Sequence, residues 1–116
     1  MTGALPSRCT AAGFVNEAGG SQGLDIRDLG PGVTLVVGTS HSRYNVTPVR
    51  AGDSRVVISG GRFFPEPIEA RLAGSTFGGI LLKQGWIGIG LCLEIHSTIG
   101  PVVTSRVRSI TRVPVN

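Results

Sequence analysis

The sequence is poor in the residue types from which catalytic and metal sites are usually built. Its 116 residues include two cysteines, Cys9 and Cys92, two histidines, His41 and His96, and a single lysine, Lys83. Two cysteines cannot form the cross-linked framework of a small disulfide scaffold, so reduced thiols are expected. Cys92, Glu94 and His96 would share one face of a strand, but successive residues on a face stand about 7 Å apart, too splayed for a tetrahedral metal set. His41 lies between Ser40 and Ser42, and neighbours in sequence point apart on a strand, so no nucleophile and base are paired there. No acid/base pair stands out either, so neither a cofactor nor catalysis is expected.

Long apolar runs are missing as well. No stretch approaches the ~18 apolar residues of a membrane span, and the first residues lack a basic start followed by an apolar run. No membrane partner is expected, and the protein is placed in the cytoplasm. Aromatic rings are confined to Phe14, Tyr44, Phe63, Phe64, Phe77 and Trp86. The core must therefore be mostly aliphatic. Each Phe and the Trp sits beside apolar neighbours, which leaves little exposed surface for stacking on bases.

Glycine, by contrast, is abundant: 18 glycines and 7 prolines occur without a collagen-like period, and such residues belong to tight turns. Basic groups outnumber acidic ones by four, and the excess is uneven. Residues 1–30 carry two basic and three acidic groups, residues 31–116 nine and four. A basic surface of that kind permits contact with phosphates, and equally serves as ordinary solubilising charge.

Residues 1–23 have no sustained period and are rich in Gly, Ala and Ser, the composition of an N-terminal arm; residues 24–116 form the β domain. Alternating or continuous apolar runs predict about seven short antiparallel strands, near 33–37, 44–48, 55–59, 68–72, 80–82, 89–95 and 102–110. The run at 33–37 reads as a strand covered on both sides. Pro65 and Pro67 are expected to separate Phe64 from the strand at 68–72. The segments from Ile68 to Ile95 read as a three-stranded meander, turning at Gly74–Gly79 and at Gln84-Gly85. Residues 102–110 carry apolar side chains on both faces of one strand. The expected fold is all-β, a single small barrel-like or curled sandwich domain.

Three hydroxyl-rich clusters fall at strand ends: Thr39 to Ser42, Ser75-Thr76 and Thr104-Ser105. Brought together, the hydroxyls of Thr39, Ser42, Ser75, Thr104 and Ser105 and the N–H of Gly78 would form an anion-binding concavity, with Arg43 or Arg106 adding charge. The same hydroxyls also serve to satisfy turn backbones. The turn is similar to that of the PilZ barrels that bind cyclic dinucleotides, whose motif Ser75 and Gly78 fit; Ala73 stands where that motif has an acid or amide, and Arg50 and Arg55 are one residue too far apart.

Three short motifs carry a closer likeness: Thr39, Ser42 and Tyr44; Gly74, Ser75, Gly78 and Gly79; and Thr104, Ser105 and Val107. Over residues 30–110 the chain resembles a set of small, uncharacterised bacterial β-proteins, a resemblance that implies the fold and no activity. The leading expectation is a non-enzymatic binding or assembly module that self-associates into a homo-oligomer, because seven short strands leave edges and the last strand is apolar on both faces. The alternative is a basic surface that binds a phosphate-bearing partner, nucleotide or nucleic acid.

Overall fold

A computed structural model describes residues 22–77 and 80–114. Most of the expected arm, with Cys9 and Phe14, lies outside the described residues, as do Gly78 and Gly79. The described residues form nine strands: β1 (Gly23–Asp25), β2 (Val33–Thr39), β3 (Arg43–Pro48), β4 (Arg55–Gly60), β5 (Phe64–Phe77), β6 (Ile80–Gln84), β7 (Trp86–Gly88), β8 (Cys92–Ser97) and β9 (Gly100–Pro114). Seven make one antiparallel sheet in the order β4-β3-β2-β9-β8-β5-β6. A further pairing of β4 with β5 curls that sheet into a ring, so the fold is all-β and barrel-like.

The ring is filled as period-2 strands dictate. Leu35 and Val37 of β2, Tyr44 and Val46 of β3, Val56 and Ile58 of β4, Leu72 of β5, and Leu93 and Ile95 of β8 are all buried in one core. Tyr44 meets Phe64 edge to face, with ring centroids 6.3 Å apart. β1 and β7 form a separate two-stranded sheet. Beside it a single 3₁₀ turn, Ile26–Asp28, adds Ile26 to the same core. Asp25 caps this turn by accepting the Arg27 N–H at 2.9 Å, and also receives the Arg27 guanidinium at 2.7 Å. That side-chain bond holds the Asp25 carboxyl below the usual carboxylate range and raises Arg27 in turn.

Several expectations are corrected. β5 runs unbroken through Pro65 and Pro67. Over that half it pairs, among the described residues, only with β4, so its other edge is open to them and a missing N–H costs no ladder bond. The glycine-rich segment at 74–77 is strand rather than turn, with Gly74 at a shift of register against β8. The meander does not form either, because β8 lies on the opposite edge of β5 from β6. β2 is fully covered on one face only, with Thr34 and Val36 half-buried on the other.

The mixed alternation of the last strand has a geometric cause. Cys92 faces Arg106 while Glu94 faces Val103, and Gly38 faces Ser109 while Thr39 faces Val107, so β9 holds one extra residue at each of two bulges. Each bulge resets the period. Val102, Thr104 and Val107 are consequently all buried, and Ile110 packs on the same core. The apolar residues thought to occupy two faces occupy one, apart from the exposed Val103.

Two glycines make the closure possible. Gly60 and Gly74 sit at φ of 118° and 144°, where L side chains are strained. A Cβ on Gly60 would strike the Arg43 carbonyl oxygen, and one on Gly74 the Lys83 carbonyl oxygen. Replacing either with alanine is expected to cost about 2 kcal/mol or more. Gly32→Ala, where a Cβ would meet nothing within 4 Å, should stay within about 0.5 kcal/mol of the parent. Urea unfolding of the three variants checks this; equal stabilities would refute it.

Candidate anion-binding site

The hairpin between β2 and β3 is bolted to β9 by the hydroxyls that the sequence singles out. The Thr39 N–H donates to the Ser42 carbonyl at 2.7 Å, and the Ser42 N–H donates to Thr39 Oγ1 at 3.0 Å. Thr39 Oγ1 donates to the Ser42 carbonyl at 3.1 Å and accepts from Ser105 Oγ at 2.8 Å. Its one proton and both lone pairs are thus committed. Ser105 Oγ also accepts the His41 N–H at 3.3 Å, and the Ser40 N–H donates to the Arg106 carbonyl at 3.0 Å. Thr104 completes the lock at the bulge, donating to the Ser105 carbonyl at 2.7 Å and accepting the Leu93 N–H at 3.0 Å.

Two recesses flank this hairpin. One, of about 330 Å³, lies between Ser40 and His41, Thr76 and Phe77 of β5, and the facing pair Cys92 and Arg106. The other, of about 370 Å³, is lined by Ser42, Tyr44, Arg62, Phe63 and Val103. His41 and Ser105 border both, and no acid among the described residues lines either. Three described acids form ion pairs elsewhere, Asp25 with Arg27, Asp53 with Arg50 at 3.4 Å and Glu69 with Arg55 at 3.3 Å, and Glu94 is hydrogen-bonded to His96 at 2.6 Å. Arg62 and Arg106 form no ion pair among the described residues, and Arg108 Nε donates to Ser40 Oγ at 3.1 Å. The result is a recessed surface of uncompensated positive charge.

Of the eight residues picked out from sequence, Thr39, Ser42, Thr104, Ser105 and Arg106 meet here. Arg43 starts β3 alongside them but lines neither recess. Ser75 is elsewhere: it is buried, donates to the Trp86 carbonyl at 2.6 Å and accepts the Gly88 N–H at 3.1 Å, tying β5 to β7. Gly78 lies outside the described residues. Glu94 and His96, expected to stand apart, are in direct contact because their long side chains lean together along β8.

Sequence reasoning missed Phe63, and named Thr76 only within the Ser75-Thr76 cluster, not among the ligand-binding residues. Phe64 is buried at 1% exposure while Phe63 is 46% exposed, and the doublet itself carries that signal, since adjacent residues face opposite ways where strand geometry begins. Thr76 is wholly buried, yet its Oγ1 has no hydrogen-bond partner. The only other such buried side-chain atom among the described residues is Trp86 Nε1. Comparison with family models, with curated proteins and with solved structures finds no match.

The two threonines should respond oppositely to loss of the hydroxyl. Thr39→Val strips three hydrogen bonds and strands the Ser42 N–H, at an expected cost of about 2 kcal/mol. Thr76→Val removes an atom that bonds nothing and should leave stability within about 0.5 kcal/mol of the parent, or raise it. Denaturant unfolding midpoints distinguish the two. A loss at Thr76 as large as at Thr39 would show that its hydroxyl is partnered.

Proposed function

We propose that the protein is a non-enzymatic binding module whose basic, hairpin-centred face takes a phosphate-bearing partner, a single-stranded nucleic acid. The observation that carries this reading is the pair of adjoining recesses, each with an arginine and neither with an acid among its described lining residues. Arg62, Arg106 and Arg108 supply charge along the two recesses for a phosphate backbone. The exposed ring of Phe63, beside Arg62, offers the flat apolar surface on which a base stacks, a contact worth about 1–3 kcal/mol. Catalysis is disfavoured because the Ser105 hydroxyl, which accepts the His41 backbone N–H, gives its own proton to Thr39.

Fluorescence anisotropy with a labelled single-stranded oligonucleotide tests the proposal. Arg106→Glu combined with Arg108→Glu reverses two exposed charges and is expected to weaken binding about tenfold or more at low salt, with the difference shrinking where charges are screened. The fold should survive, since exposed substitutions usually cost under about 0.5 kcal/mol. Failure of the parent to bind at low salt, or unchanged binding by the folded double variant, overturns the proposal.

Self-association is a second reading, favoured by one observation. Among the described residues β6 pairs only with β5, which leaves its outer edge open, and Ile80 on it is 67% exposed. An open edge accepts a strand from a second copy. Sedimentation velocity over micromolar concentrations should then reveal a dimer or larger species; a monomer throughout removes this reading.

A further inference from the structure

Thr76 is the anomaly of this face. A buried hydroxyl without a partner forfeits its hydration and receives nothing in exchange. It lies against the recess that Ser40 and Arg106 also line, so three different elements bring donor-bearing residues to one space: β5, the hairpin and β9. Ser40 Oγ accepts from Arg108 Nε, which leaves its own proton to donate. Arg106 brings a guanidinium, whose fork suits phosphate oxygens. Phe77 and Gly90 also line the recess, and among the described residues no carboxylate does so to repel an anion.

We propose that this recess is the seat of a terminal phosphate monoester of the bound strand, a claim that rests on the reading of the face given above. A phosphate inside a strand has two oxygens tied up in sugar linkages and a single negative charge. A terminal monoester presents three free oxygens and carries about −1.5 to −2 at neutral pH. Three donor groups converging on one recess match the terminal group and leave an internal one partly unserved. The Thr76 hydroxyl, unpartnered without ligand, gains its acceptor when a phosphate oxygen enters. The larger neighbouring recess, with Arg62 and Phe63, then receives the adjoining nucleotide.

The test compares three oligonucleotides of one sequence: 5′-phosphorylated, 3′-phosphorylated and without a terminal phosphate. One phosphorylated strand should bind the parent about tenfold tighter than the unphosphorylated one, the factor expected of one charged hydrogen bond. Thr76→Val should shrink that preference to about threefold or less while leaving the unphosphorylated strand unaffected. Cys92 lines the same recess, so its rate of alkylation, mapped by mass spectrometry, should fall with the preferred strand and not with the unphosphorylated one. Equal binding of all three strands overturns this proposal and leaves the nucleic-acid reading standing; binding of none overturns both. A preference that Thr76→Val leaves intact, or an unchanged alkylation rate, places the phosphate outside the recess and overturns the proposal. Should Thr76→Val fail to fold, the Cys92 measurement on the parent decides alone.

Discussion

Six antiparallel strands can close into a ring only if they bend, and ordinary strand backbone resists bending as sharply as so small a barrel demands. The chain meets this constraint with inserted residues and with glycines in the left-handed region. β9 takes two bulges, β5 turns at Gly74, and β4 passes into β5 at Gly60. The hydroxyl network follows from the same constraint. Each bulge lifts backbone groups off the ladder, and buried N–H groups need acceptors. Thr104 accepts the N–H of Leu93 where the register slips, and Thr39 and Ser105 hold the hairpin against the second slip. The proposed binding face is therefore built over the places where the barrel bends.

That origin explains how much could be read from the sequence. Alternation in β3 and β4 is regular, and those strands emerge with nearly the observed limits, whereas the strand expected at 89–95 starts only at Cys92 and runs to Ser97. β9 misled because a bulge is one extra residue with no composition of its own. Thr104 to Val107 and Val107 to Ile110 each break the period by one, and a reading at strict period 2 assigns the inward residues to two faces. The prolines at 65 and 67 misled for a different reason: proline is excluded from ladders, not from edges, and sequence does not say which half of β5 lacks a second neighbour. Strand order was out of reach for the same reason, since the placement of β8 beside β5 depends on ring closure between distant segments.

The candidate site was legible by residue type and not by role. Thr39, Ser42, Thr104, Ser105 and Arg106 do converge, yet the hydroxyls of Thr39, Thr104 and Ser105 are engaged in holding the backbone. The groups left to meet a ligand are ones that composition gives no reason to favour. Arg62 and Arg106 differ from Arg27, Arg50 and Arg55 only in having no carboxylate within reach. Phe63 differs from Phe64 only in the face it takes. A tally of charge over residues 31–116 foresaw a basic body, but it is the withdrawal of acids into pairs elsewhere that leaves this one face bare.

The single lysine and the single tryptophan meet at one corner, where the ammonium of Lys83 stands 4.0 Å above the ring centroid of Trp86. This contact joins the last strand of the main sheet to the small sheet across Gly85. Indole emission from the whole chain therefore comes from one place, beneath a positive charge. Reagents directed at side-chain amines have only that same place to attack. The seam between the two sheets thus carries its own chromophore and its own chemical handle, and its opening can be followed optically with no foreign dye.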